Sequence, residues 1–248
     1  MIVKLRYKIN LPNSLRTKKI ESTLHGFLME LLPSELVEHL HNLSYNPFRQ
    51  RLIFEKELVI WEIVGLHKMV SEELLKLENL REITIKRAQK TVSLSLLSKD
   101  AIAVDDLVKK EMGREIDSRI ISLKFTSPTS FKANGHYDIF PDIRKIFRSL
   151  MMNFDFFSET TKIYDYEVLS YIEENVHIVS YKLMTKNFHL EKIKVKGFQG
   201  DMTLKVTGAE QFVKLVLLMI KYATFAGIGM KTSLGMGGVS INERHYLR

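Results

Sequence analysis

Between His39 and Arg51 the chain sets two imidazoles (His39, His41), a phenol (Tyr45) and two guanidinium groups (Arg49, Arg51) within thirteen residues. An imidazole changes charge near neutral pH, and an arginine beside it can hold a phosphate and offset negative charge that develops there, so the set suits proton transfer at a phosphate. In an extended segment His39 and His41 would share a face; in a helix they would diverge by about 200°. One of the two is therefore expected to be central. His-x-His offers a metal two ligands where catalytic zinc takes three from the protein, and no second cluster at ligand spacing follows, so no metal site and no cofactor are expected. Surface histidines with no chemical role are the alternative reading.

A second stretch, GIGMKTSLGMGG at residues 227–238, places a lysine and two hydroxyls inside a glycine-rich loop. A nucleotide-hydrolysing P-loop follows a strand, opens a helix and has glycine immediately before its lysine. Here Met230 precedes Lys231, and residues 209–226 read as a helix, with Phe212, Leu215, Val216, Met219, Ile220 and Ala223 at three- and four-residue steps. The loop leaves a helix, so a P-loop is excluded by residue identity and by topology.

Composition narrows the classes further. The chain has 248 residues, no cysteine, and 37 Lys plus Arg against 29 Asp plus Glu, for a formal charge of +8. Without cysteine there is no disulfide, thiolate metal site or thiol nucleophile. No segment reaches the roughly 18 uninterrupted apolar residues of a membrane span, and the N-terminus lacks a signal-like apolar run, so a soluble cytoplasmic protein without membrane association is expected. The basic balance favours a polyanionic partner.

The elements that must position these residues repeat. Residues 2–9 alternate Val3, Leu5, Tyr7 and Ile9 against Lys4, Arg6 and Lys8, a strand with one basic face. A helix is expected from about Lys18 to Leu32. A turn at Asn46-Pro47, strands at Leu52–Phe54 and Leu58–Val64, a helix near Ser71–Leu77, and strands at Glu82–Lys86 and Val92–Leu96 follow. This is the β-α-β-β-α-β order of a ferredoxin-like unit. In the second half, Ile120–Phe125 reads as a strand, and Pro141-Asp142 opens a helix, with proline in the first turn. Leu190, Ile193 and Val195 alternate with Lys192, Lys194 and Lys196, and this segment is expected to pair with Met202–Val206 across a turn at Gly197-Phe198-Gln199-Gly200. The fold class is therefore α+β, two tandem ferredoxin-like units, with the boundary in the charged stretch Lys110–Ser118: 1–114 carrying the histidines and 115–248 carrying the glycine loop. Basic sheet faces of this kind suit RNA.

Several stretches together resemble the CRISPR repeat-RNA processing endoribonucleases of the repeat-associated RNA-binding (RAMP) superfamily. They are the glycine-rich end Ala226–Gly237, the segments 125–131 and 140–150, Val195-Lys196-Gly197-Phe198-Gln199-Gly200, and Leu40-His41 a short distance after Gly26-Phe27-Leu28. The resemblance implies metal-independent cutting of CRISPR precursor RNA within each repeat, by attack of a ribose 2′-hydroxyl that leaves a 2′,3′-cyclic phosphate and a 5′-hydroxyl. It implies His41 as acid or base with His39 as alternate, Arg49 or Arg51 as the cation, and Tyr45 as an orienting hydroxyl. Met29 stands where some members carry a tyrosine, and arginines stand where some carry a catalytic lysine. The glycine loop becomes an RNA clamp: Gly227, Gly229, Gly235 and Gly237 give close backbone approach, Lys231, Thr232 and Ser233 give charge and hydrogen bonds, and the lysines at 192, 194 and 196 extend the surface. The implied partners are the repeat RNA and its product, interference-complex subunits and a second copy of the chain. A non-cleaving RNA-binding subunit of an interference complex is the alternative the same resemblance allows.

Overall fold

The computed structural model describes residues 1–242 except 17–19, 56–57, 87–88, 134 and 191–192, and the side chains of Arg16, His41 and Ala133 lie outside that description. The chain divides into two compact units, one formed by Met1–Ile102 with His189–Ile193 and Thr232–Gly235, the other by Ala103–Phe188, Lys194–Lys231 and Met236–Arg248.

The first unit is built on a five-stranded antiparallel sheet. Its strands are β1 (Ile2–Ile9), β2 (Phe48–Glu55), β3 (Leu58–Gly65), β4 (Glu82–Ile85) and β5 (Lys90–Ile102), in the order β2-β3-β1-β5-β4. Helices α1 (Asn13–Arg16), α2 (Ile20–Leu31) and α3 (Ser34–His41) connect β1 to β2, and α4 (Lys68–Lys76) connects β3 to β4. Removing β4 leaves the ferredoxin order, so β4 is an extra edge strand folded back as a hairpin on β5. The alternation of β1 puts Val3, Leu5, Tyr7 and Ile9 into the core, each at most 2% exposed. Ile20, Leu24 and Leu28, spaced by four on α2, join Val70 and Leu74 of α4 in the same core.

In the second unit β6 (Ile120–Thr129), β9 (Val176–His189), β10 (Lys194–Val206) and β11 (Val239–Ile241) form a sheet ordered β11-β6-β10-β9, the ferredoxin order without additions. A small hairpin, β7 (Phe131–Ala133) and β8 (His136–Asp138), follows β6. Helices α5 (Val104–Gly113), α6 (Ile143–Phe157), α7 (Tyr166–Asn175) and α8 (Glu210–Ala226) complete the unit, with α5 and α6 against α8.

Three expectations change. Asp142, not Pro141, begins α6: its carboxylate accepts the Lys145 amide at 2.8 Å, and the proline lies outside the helix. The N-terminal stretch of the first unit ends at Ile102, because α5 packs on α8; the charges and glycine of 110–118 mark the end of that helix. Gly197 to Gly200 is no turn, since β10 runs through it. A Cβ on Gly197 would lie 2.6 Å from the Thr129 carbonyl oxygen, and Gly200, at φ +132°, brings β10 so close to β9 that a Cβ would run into the Lys182 carbonyl. The glycines mark close strand approach. Gly200→Ala is accordingly expected to cost about 2 kcal/mol or more and to lower the thermal midpoint by about 5 °C; an unchanged melting curve would contradict this packing.

Candidate functional site

Helix α3 is amphipathic, with Leu40 in the core and Leu36 and Val37 against it. The Asn42 amide closes the helix on the carbonyls of His39 and Leu40, and the Asn42 side chain donates to the Glu38 carbonyl at 3.2 Å. Residues 39–41 are helical, so positions 39 and 41 lie about 200° apart around the axis. His39 points to solvent. The backbone of His41 ends the helix and opens the segment 42–47, in which Tyr45 is half-buried.

Beside that segment, in the same unit, sits the 3-10 turn Thr232–Leu234 from the middle of the glycine loop, packed on β2 and α2. Asn46 Nδ2 donates to Ser233 Oγ at 3.4 Å, and His25 Nδ1 lies 3.3 Å from the Ser233 carbonyl oxygen. The His25 ring stacks on Phe48, with centroids 5.5 Å apart and 20° between planes. Gln50 ties the neighbourhood together, donating to the Glu21 carbonyl at 2.9 Å and accepting from Trp61 Nε1 at 2.8 Å. Read in sequence, His25 is an ordinary helix-face residue; its partner lies 208 positions away, and no local signal points to it.

The glycine loop is mostly engaged with the protein itself. Amides of Gly227, Ile228, Met230, Gly235, Met236, Gly237 and Gly238 all donate to protein acceptors. Of the residues expected to give charge and hydrogen bonds, Lys231 and Thr232 are half-buried, while Ser233 is turned inward. Positive φ at Gly227, Gly229, Gly235 and Gly237 shapes the loop, and a Cβ on Gly229 would run into the Ser130 carbonyl. Lys231 adopts φ +56°, a left-handed conformation costly for a side-chain-bearing residue. Lys194 and Lys196 are exposed on either side of buried Val195; Lys192 lies outside the described residues.

Arg49 and Arg51 depart most from expectation. Strand β2 begins at Phe48, so both are strand residues, and the register sets Arg51 and Arg6 on either side of Glu62. Arg49 Nη2 and Arg51 Nε contact the same Glu62 oxygen at 3.0 and 2.8 Å, and Arg6 Nε lies 3.7 Å from the other oxygen. Burial alone would raise the Glu62 carboxyl, but the Arg49 and Arg51 charges outweigh it and hold it down to about 2. Burial, and then the Arg51 charge, pushes the Arg49 guanidinium down, yet it stays protonated at neutral pH. With side chains 1% and 6% exposed, these arginines neutralise a buried carboxylate and are not available as the cation for a reacting phosphate. Among the described residues no group of three or more His, Asp or Glu side chains is placed to hold a metal ion, and no helix is long and apolar enough to cross a membrane.

Two ferredoxin-like sheets in tandem, with a glycine loop that carries a lysine at positive φ, define the chain as an α+β protein. The family model of the CRISPR-associated endoribonuclease Cas6 matches residues 123–239. A CRISPR-associated endoribonuclease Cas6 of Streptococcus thermophilus is 33% identical over 221 residues, covering 89% of this chain and 90% of that protein. One from Mycobacterium tuberculosis is 24% identical over 221 residues, 88% of this chain and 70% of its own length. A solved Cas6 product complex superposes with a TM-score of 0.78 at 19% identity, over 98% of this chain and 100% of that one. The chain belongs to the CRISPR-associated endoribonuclease Cas6 family.

Proposed function

We propose that this chain, acting in the cytoplasm, cuts CRISPR precursor RNA within each repeat without a metal ion and so produces guide RNAs. The observation that carries the reading is the placement of the glycine-loop turn Thr232–Leu234 in the same compact unit as helix α3, which ends at His41. Thr232 of the glycine loop and the helix end that carries His41, nearly 200 positions apart, thus belong to one body. In the reaction a base takes the proton of the 2′-hydroxyl as its oxygen bonds to phosphorus. The bond from phosphorus to the 5′-oxygen breaks, and that oxygen takes a proton from an acid. The products are a 2′,3′-cyclic phosphate and a 5′-hydroxyl.

His41 carries one of the two proton transfers, and Tyr45, in the segment that follows, orients it or the phosphate. Arg49 and Arg51, held on Glu62, do not supply the positive charge at the phosphate. The test is the chemistry of the product ends after incubation with EDTA. A fragment that polynucleotide kinase labels directly at its 5′ end, paired with one ending in a cyclic phosphate, is the expected result. A 5′-phosphate, or cutting that stops in EDTA, would overturn the proposal, and tight binding without cutting would favour a guide-RNA scaffold within an interference complex.

Lys231 separates backbone geometry from charge. Lys231→Gly relieves the left-handed conformation, so thermal stability is expected to hold or rise. RNA affinity should fall, and the dependence of log affinity on log salt should flatten by roughly 0.7–0.9, one phosphate contact. An unchanged salt slope would make the loop purely structural.

A further inference from the structure

The sheet of the second unit has two unlike faces. Met202, Leu204 and Val206 of β10, with Ile121, Leu123 and Phe125 of β6, are buried. The opposite face is defined by register. The Thr207 amide donates to the Asn175 carbonyl at 2.9 Å, and Gly200 abuts Lys182; both relations set Val176 across from Val206 and Tyr181 across from Asp201. Val176 and Val206 share the core side, so alternation turns His177, Val179 and Tyr181 to the other side. Lys124, paired with Asp201, lies on that side too, as does Lys205.

On this face Tyr181 is 60% exposed and Val179 51%, and Phe140, also 60% exposed, meets Tyr181 edge to face with centroids 6.4 Å apart and planes at 85°. Two perpendicular rings standing in solvent form a corner, one wall of which is the flat face of an aromatic ring. Exposed apolar surface of this kind marks a contact site. Charge selects the partner. On this face Lys124 and Lys205 stand with Asp201, and the strands add positive charge beyond it: alternation turns Lys182 and Lys186 of β9 to the other side, β9 has no acidic residue, and β10 also carries Lys194 and Lys196. Aromatic faces set among cations on an exposed sheet match an unpaired nucleobase and its phosphates.

We infer that Tyr181 and Phe140 form a stacking platform for an unpaired base of the RNA, on the strands that also carry Lys194 and Lys196. The inference rests on the proposed RNA-cutting function and adds to it where part of the substrate lies. Repeat RNA carrying 2-aminopurine at successive unpaired positions is titrated with the wild-type protein and with Tyr181→Ala, Tyr181→Phe and Phe140→Ala. Wild type is expected to quench the fluorophore at one position. Tyr181→Ala should release that quenching and weaken binding about tenfold without changing the salt slope, because a stacked ring releases no counterion. Tyr181→Phe should restore both.

Quenching and affinity retained in Tyr181→Ala and Phe140→Ala would overturn the platform. So would a loss of self-association in sedimentation with RNA affinity intact, which would give the patch to a second copy pairing along β9. A wild-type protein that neither binds nor cuts repeat RNA would bring down the proposed function itself, a result distinct from failure of the platform alone. Tyr181 is mostly solvent-exposed, so these variants are expected to fold.

Discussion

His41→Ala is expected to lower the single-turnover rate of repeat cleavage by about 10²–10⁴-fold, the range for loss of a general acid or base, while affinity for the repeat changes by less than about threefold. The argument begins with the backbone. Leu36, Val37 and Leu40 anchor α3 to the core, Asn42 closes the helix, and the chain turns from its end toward β2 beside the 3-10 turn held by His25 and Asn46. His41 is the histidine at that end. His39 is the internal control: it is exposed, and it is rotated about 200° from His41 around the same helix, so His39→Ala should change the rate by less than about threefold. Rate and affinity must be measured separately, because a drop in affinity alone would make His41 a binding residue. Near wild-type cutting by His41→Ala together with loss in His39→Ala would move the role to the other face of α3.

Glu62→Gln is expected to destabilise the first unit by about 3–5 kcal/mol, because it leaves two guanidinium charges buried without their carboxylate. Arg49 and Arg51 both reach one Glu62 oxygen, and none of the three side chains is more than 6% exposed. A thermal midpoint lower by about 10 °C is the corresponding readout. The same group predicts acid sensitivity. Its folded value of about 2 lies below the ordinary 4.5, so its ionised form stabilises the fold fully above about 4.5, and that contribution is lost as pH falls toward 2. In Glu62→Gln this part of the acid-side loss should disappear. A variant melting within about 2 °C of wild type, with an unchanged pH profile, would show that the cluster contributes little. Arg51→Ala should likewise cost stability, with RNA affinity of the folded protein preserved.

The two tandem ferredoxin-like units were legible because β1, α2 and α6 bury one face at regular spacing and α8 is a long apolar run, which are local signals. The elements that escaped lack such signals. Strand β9 is exposed on both faces for most of its length, so VHIVSYKLMTKNFH shows no clean alternation. Gly197 and Gly200 look like a turn in sequence, and only the positions of Thr129 and Lys182 reveal them as points of close strand contact. Arg49 and Arg51 read as loop cations because Asn46-Pro47 suggested a turn and a later strand; β2 in fact starts at Phe48, which sets Arg51 opposite Glu62. The glycine loop was recognisable by composition, but most of its amides are used within the fold, and the grip of His25 and Asn46 on Ser233 joins residues distant in the chain.

The most direct test of the central claim is cleavage, in excess EDTA, of two copies of the cognate repeat RNA that differ by a single atom, one with ribose and the other with 2′-deoxyribose at the scissile nucleotide. The account predicts that both bind with similar affinity and that only the ribose substrate is cut. Cutting of the deoxy substrate at a comparable rate would contradict it, because the nucleophile would then not be the 2′-hydroxyl.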